Sequence, residues 1–509
     1  MFLTILTSFV LLLFILHCYI KYRREGRLLN KIPGPKAYPI IGNIHHMRVP
    51  NDEILKQYWK IGDEFYPIYK IWSFLFSSVI LLHPEDIKIF MTNKELTTKY
   101  MPYKHMQSWL STGLLTTNGD KKWQKRRKML SPAFHVNIMK HFLVSFNEEA
   151  EFLVRSLKEQ AQNKDGFVVK DLLELITKHS LNIICETILG ISLNEKDQLE
   201  FEYRNAVHAY GKITAYRFSR PWYHWDILFA LSKTGRLEKK LLKTLHGFSK
   251  TIIAERKRFH EQNEENEEIL EELKDDNNKR TRSKGKLCLL DLLLASYLDD
   301  KQIDYDGIRE EVDTFTFAGH DTTAMALCFA LSLFAKHRNV QENIRHEVNT
   351  IMQQDDCKLT TTILKDFSYL DRCIKESLRL YSSVHTIARY LDQDLQLSNY
   401  VIPAGTNCLV SICNIHKNPI YWPNPDIFDP DRFLPENVKE RHPYSYIPFS
   451  AGMRNCIGQK FAMHEMKVLI AYIIHNFHLE PVDELDDVKI SGELTLSPSG
   501  PLHIRFIPI

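Results

Sequence analysis

Cys456 sits in "FSAGMRNCIGQKFA" (Phe449 to Ala462), inside a glycine-bracketed turn and two residues after Arg454. A chain with no secretory disulfide pattern has little structural need for a thiol on such a turn, which leaves chemistry as the question it raises. "AGHDTT" (Ala318 to Thr323) places a glycine, an acid and two hydroxyls in the middle of an apolar helical stretch. Ala318 and Thr322 are four apart and share a face. The Thr322 hydroxyl can bond back to a carbonyl and bend the helix. Taken alone, the stretch reads better as a buried helix with a satisfied polar patch than as a site. "KESLRL" puts Glu376 and Arg379 three apart, a spacing for a local ion pair that usually marks a solvated surface. Arg432 in "FDPDRF" offers a second cation, and "WQKRR" sets Trp123 and Arg127 on one helical face.

These residues need elements to hold them. Helix-period apolar patterns dominate, as in Asp171 to Leu189 and Ile308 to His337. Strand signals are short: Ser77 to His83, Asn399 to Ile412 and Gly500 to Ile509. The class expected is mainly α with a minor β-sheet. "MFLTILTSFVLLLFILHCYI" carries no Lys, Arg, Asp or Glu, and twenty helical residues span about 30 Å, a bilayer's hydrocarbon thickness. Its charges follow in "KYRREGR" and no small-residue cleavage site appears, which favours a retained anchor over a signal peptide. The positive-inside rule leaves the rest on the cytoplasmic side. Pro33, Pro35 and Pro39 stiffen the next stretch. The organisation expected is an anchor over 1–20, a basic and proline-rich hinge over 21–43 and one catalytic domain over 44–509. Glu261 to Lys286, acidic then basic, reads as a charged helix end and surface loop.

The 66 basic and 63 acidic residues nearly balance, which argues against a nucleic-acid partner. Nine scattered cysteines with no CxxC pair indicate neither a zinc ribbon nor a disulfide framework.

Five motifs in fixed order resemble those of the cytochrome P-450 superfamily of heme-thiolate monooxygenases, over essentially the whole chain. They are Trp123 with Arg127, Ala318 to Thr323, Glu376 with Arg379, "PDRF" (Pro430 to Phe433) and Phe449 to Gly458. "GLLTTNGDKKWQKRRKMLSPAFH" and "GHDTTA" further resemble family four, the fatty-acid omega-hydroxylase branch and its insect relatives. The resemblance implies that Cys456 is the axial thiolate and metal ligand of a heme b, a ligand that favours O–O cleavage. Gly452 and Gly458 are then expected to let backbone pass under the porphyrin, with Phe449 opening the same cofactor loop. Arg454, Trp123, Arg127 and Arg389 match partners of the heme propionates. Glu376, Arg379 and Arg432 match a structural charge triad. Asp321 and Thr322 match the acid–alcohol pair that relays protons. His320 reads as a hydrogen-bonded core histidine rather than a ligand.

Three departures stand out. Ser382 and His385 replace prolines common in the branch, and Met453 replaces a common proline of the cysteine loop. Ala318 stands where many family-four members carry a glutamate that esterifies the heme, so the cofactor is expected to be held non-covalently. The function implied is hydroxylation of fatty acids or related long-chain lipids at or near the terminus. A broad xenobiotic oxidase, a reductase-independent rearrangement enzyme and a non-catalytic heme carrier or sensor are the alternatives. Expected partners are NADPH-cytochrome P-450 reductase, cytochrome b5 as a further donor, a lipid membrane and an apolar small molecule. The expected location is the endoplasmic reticulum membrane. Lys121, Lys125 and Lys128 form one stripe, readable as a reductase contact or as an ordinary solvated face. "RPWYHWD" (Arg220 to Asp226) reads as either bilayer-interface aromatics or core packing.

Overall fold

The computed structural model describes residues 1–47, 49–73, 76–163, 166–193, 196–262, 288–298, 302–352 and 358–509. All but the first two residues of the charged stretch Glu261 to Lys286 lie outside the described residues.

The helix Tyr305–Lys336 runs through the core and packs against the helices Leu172–Ile184, Lys233–Gln262, Ser368–Leu380 and Gln459–Asn476. Its first turn is closed by Asp304, whose side chain accepts the Gly307 N–H at 2.8 Å. Gly319 lets the helix Leu172–Ile184 pack closely: a Cβ there would stand 2.2 Å from Ile184 Cδ1. The pattern over Asp171 to Leu189 is one helix only in part. It is α-helical over Leu172–Ile184, then widens into a π turn over Cys185–Leu189. Gly190 closes that turn at φ +69°, a conformation that favours glycine.

Strands are few and short. β1 (Ile68–Ser73), β2 (Phe76–Leu81), β4 (Thr386–Tyr390) and β7 (Asn407–Ser411) form a four-stranded sheet ordered β1-β2-β7-β4. Only the β2–β7 pair is parallel. β3 (Val168–Asp171), β11 (His503–Pro508) and β8 (Phe477–Pro481) form a second sheet, and β5 (Leu395–Gln396) pairs with β6 (Val401–Ile402). β9 (Ile490–Gly492) and β10 (Leu496–Pro498) make a hairpin with Ser491 opposite Ser497. The three strand signals correspond to β2, to β6 with β7, and to β11.

The N-terminal helix Phe2–Tyr22 is a candidate membrane span, and none of its apolar window is buried. Tyr305–Lys336 is also long and apolar enough to span but is mostly buried, as a core helix is. The stretch from 21 to 43 is more ordered than a bare proline arm. Arg24–Asn30 is helical, and Arg24 pairs with Asp394. Ile32 is buried, and the Lys70 N–H donates to the Pro33 carbonyl at 2.9 Å.

Candidate active site

A cavity of about 650 Å³ opens between the cysteine loop, the middle of Tyr305–Lys336, the four-stranded sheet and the tip of the β9–β10 hairpin. Of the eight described cysteines, six are buried and Cys18 is half-buried; only Cys456 is exposed, and it lines this cavity. Its N–H donates to the Phe449 carbonyl at 3.0 Å, closing the loop, and Phe449 also lines the cavity. Burial pushes the thiol up, while the Gly458 N–H and the Arg127 charge pull it down.

The two loop glycines differ in role. Gly452 has φ +69°, and a Cβ on it would come within 2.0 Å of the Met91 carbonyl oxygen. It serves the turn and does not line the cavity, so its close approach is to Met91. Gly458 does line the cavity. A Cβ there would lie 4.0 Å from Cys456 Sγ, filling space beside the sulfur.

Trp123 and Arg127, from the helix Lys121–Leu130, line one wall. Asp120 caps that helix by accepting the Trp123 N–H at 3.1 Å. Arg127 donates to the Asn455 carbonyl at 3.0 Å and to its Oδ1 at 2.9 Å. Arg454 donates to the carbonyls of Leu114 at 3.2 Å and Thr97 at 2.9 Å, and its Nε is buried without a partner. Burial, reinforced by Arg389, lowers the Arg454 guanidinium to about 9. Arg389, in β4, is buried, donates to the Ala388 carbonyl at 2.8 Å and also bonds the Tyr103 side chain. Lys99 lines the cavity as well, and burial pushes its ammonium well below the usual lysine range.

Lys99, Arg127, Arg389 and Arg454 therefore face the cavity, and among the described residues no carboxylate pairs with any of them. Buried cations are costly without an anion. An iron porphyrin supplies two carboxylate arms and an iron that takes a thiolate, so the donor set fits such a group. Lys99 carries no local motif. Only the fold brings it beside Arg389 and Arg454, whose charges act on it.

On the opposite wall Ala318, Gly319 and Thr322 line the cavity. The Thr322 hydroxyl donates to the Ala318 carbonyl at 2.8 Å, the expected back-bond within the helix. The Thr322 carbonyl accepts from Ser383 Oγ at 2.7 Å. Asp321 does not line the cavity. Its Oδ2 accepts from Thr495 Oγ1 at 2.8 Å, and burial raises its carboxyl to about 6. Thr495 and Glu493, neither singled out by any motif, reach the cavity from the hairpin. His320 is buried, its Nδ1 2.8 Å from the Thr316 carbonyl, and lies away from the cavity.

Glu376 and Arg379 are fully buried, unlike the solvated pair their spacing suggests. Arg379 meets the carboxylate with two bonds, at 2.7 and 2.8 Å, and Arg432 Nε lies 3.4 Å from Glu376 Oε1. Lys121, Lys125 and Lys128 are exposed, while Trp123 on the same helix is buried. Trp222 and Trp225 are exposed and continue into exposed Ile227, Leu228 and Leu231.

A family model described as Cytochrome P450 matches residues 32–505. Cytochrome P450 4c3 of Drosophila melanogaster is 36% identical over 515 residues, covering 99% of this chain and 94% of its own. Cytochrome P450 4V2 of Homo sapiens is 36% identical over 501 residues, covering 97% and 93%. Cytochrome P450 4c21 of Blattella germanica is 36% identical over 508 residues, covering 97% of each chain. With an accessible thiol facing four cations that lack anions, and near full-length likeness to these relatives, the chain belongs to the cytochrome P450 family, within family four, and is a heme-thiolate monooxygenase.

Proposed function

We propose that the protein hydroxylates fatty acids or related long-chain lipids at or near the terminus. The observation that carries this is the apolar part of the cavity lining: Ile54, Leu55, Ile71, Phe76, Met101 and Ala318 share one cavity with Cys456. Such a lining favours a long apolar chain whose end is directed toward the thiol. The bound group is heme b, held without a covalent bond to the porphyrin; it supplies iron and oxygen chemistry to the site. Cys456 ligates the iron. Lys99, Arg127, Arg389 and Arg454 meet the propionates beside Trp123. Asp321 and Thr322 deliver protons, Asp321 as the acid and the Thr322 hydroxyl as the relay nearest the substrate.

Electrons come from NADPH-cytochrome P-450 reductase, with cytochrome b5 as a second donor, at the exposed face carrying Lys121, Lys125 and Lys128. The helix Phe2–Tyr22 anchors the protein in the endoplasmic reticulum with the catalytic domain on the cytoplasmic face. Trp222, Trp225, Ile227 and Leu231 add a second bilayer contact. A glycosylation tag at the C-terminus should stay unmodified; its glycosylation would reverse the orientation. A broader xenobiotic oxidase is the second reading, favoured by the small Ala318 side chain on the cavity wall.

Product analysis decides between them, using reductase-reconstituted enzyme with a mixed panel of lipids and xenobiotics. Terminally hydroxylated lipids support the first reading, and oxidation of bulky aromatics alone overturns it. In the same assay Thr322→Ala should keep substrate binding and divert NADPH equivalents into hydrogen peroxide. Unchanged coupling would reduce Thr322 to helix packing.

A further inference from the structure

The tip of the β9–β10 hairpin does more than floor the cavity. Thr495 holds the Asp321 carboxylate by the 2.8 Å bond from its hydroxyl, and Glu493 lies two residues away. Glu493 Oε2 stands 3.6 Å from His208 Nδ1 on the helix Asp197–Phe218, and Oε1 accepts from Ser491 Oγ at 3.3 Å. The Glu493 side chain is 8% exposed and that of His208 39% exposed, so the pair runs from solvent to the cavity. Gly211, three residues after His208 on the same face, leaves room for the carboxylate: a Cβ there would lie 3.1 Å from Glu493 Oε2.

We propose that His208 and Glu493 are the outer links of a proton path that recharges Asp321, with the Thr495 hydroxyl as its last link. A proton passes from solvent to the His208 imidazole, and from the imidazolium to the Glu493 carboxylate. It then moves from the Glu493 carboxyl, through a cavity water and the Thr495 hydroxyl, to the Asp321 carboxylate. Only protons move, and solvent restores His208. The inference rests on the Asp321–Thr322 relay proposed above, and Glu493 acts through Asp321.

The electrostatics suit a relay. Burial raises Glu493 to about 7, opposed by Lys212 and helped by the Asp321 charge. Burial raises Asp321 to about 6, so the two acids are close enough in strength for protons to pass either way. The charged and titratable groups around Glu493 are His208 and Lys212 from one helix, Asp321 from the central helix and His385 from the segment just before β4. Burial lowers His208, with Lys212 adding to the effect. His385, bonded to the Glu493 backbone, is lowered to about 4 by burial and stays neutral near pH 7.

The test uses full-length holoenzyme. In infrared spectra without substrate, the parent minus Glu493→Gln difference should show a protonated carboxyl band at pH 6 that fades by pH 8. Product formed per NADPH should fall about tenfold in Glu493→Gln at pH 8 and less at pH 6, where Asp321, raised to about 6, already holds a proton part of the time. Glu493→Asp should restore most of it, and His208→Ala should reproduce the loss at pH 8. His208 is partly exposed, so that variant tests the path even if Glu493→Gln fails to fold. Spectral substrate affinity, measured alongside, separates proton supply from substrate fit. Parent-like coupling at pH 8 in His208→Ala or in folded Glu493→Gln overturns the path, as does absence of the infrared band. Asp321→Asn distinguishes the two levels. If it stays coupled, the underlying relay reading fails; if it uncouples while Glu493→Gln does not, only the path does.

Discussion

The Arg454 guanidinium lies over the Trp123 ring, its central carbon 4.3 Å from the ring centre. This contact ties the cysteine loop to the helix Lys121–Leu130 and aligns two of the residues that face the cavity. An indole face favours a cation but does not neutralise it. Arg454 and its three cationic neighbours are therefore positioned to receive an anion.

That arrangement makes Lys99 testable, since only its position in the fold marks it. Lys99→Met should weaken heme retention about tenfold, the loss of one charge-assisted contact. The apoprotein should be as stable as the parent or more so, because a buried unpaired ammonium is gone. Heme transfer to apomyoglobin and apoprotein melting give the two readouts. Unchanged transfer would leave the lysine as packing against Tyr103, whose ring centre lies 3.6 Å from its Nζ.

Cys456→Ser should abolish the long-wavelength Soret band of the reduced carbon monoxide complex. The other described cysteines are buried or, in the case of Cys18, in the N-terminal helix, so none can take its place without refolding. A retained band would require another sulfur ligand.

The cysteine loop, the acid–alcohol helix and the Trp123–Arg127 pair were legible because each is a run within one turn or one helix. Lys99, Glu493 and Thr495 were not, because each enters the site from a different segment with no spacing of its own. Glu376 and Arg379 show a related limit: their three-residue spacing fixes a shared face but not whether that face meets water. Here it meets the Asp429 N–H and the His416 carbonyl instead. β4, which carries Arg389, has no strand signal of its own. Its five residues form a strand only because β7 pairs with them, with Arg389 opposite Cys408.

Glu465 should set part of the protein's pH response. It is fully buried, accepts from Ser180 Oγ at 2.7 Å through Oε1, and its Oε2 has no partner. Burial raises its carboxyl to about 8, against about 4.3 in an unfolded chain. Between these values the folded state holds a proton that the unfolded state has released, so stability falls as pH rises. From pH 5 to 7 the loss is ~3 kcal/mol, at about 1.4 kcal/mol per unit. Glu465→Gln keeps an acceptor for Ser180 and removes the titration. Its melting temperature should decline less than the parent's between pH 5 and 8. Parallel curves in the two proteins would mean that Glu465 is ionised in the fold.

Ala318, on the cavity wall, bears on two of the proposals above: the non-covalent heme and the position of the substrate's end. Resemblance to family four implies that a glutamate at this position esterifies the porphyrin, whereas a methyl group offers no nucleophile. Asp321, three residues on, is held by Thr495 and does not line the cavity. Glu493 is the one carboxylate among the described lining residues, and it lies near His208, on the hairpin side. Acid–organic extraction should therefore release the heme intact. A heme-sized mass increment on the denatured polypeptide would refute this, and its disappearance in Glu493→Gln would identify the acid responsible. The methyl group also leaves space beside Thr322, whose hydroxyl is already committed to the Ala318 carbonyl. A chain end in that space can shift by a carbon, since one methylene in an apolar pocket changes selectivity by only about ten- to two-hundredfold. Ala318→Glu fills the space and should raise the ratio of terminal to subterminal products about tenfold. A ratio equal to the parent's would show that the hairpin, rather than residue 318, sets the position of the chain end.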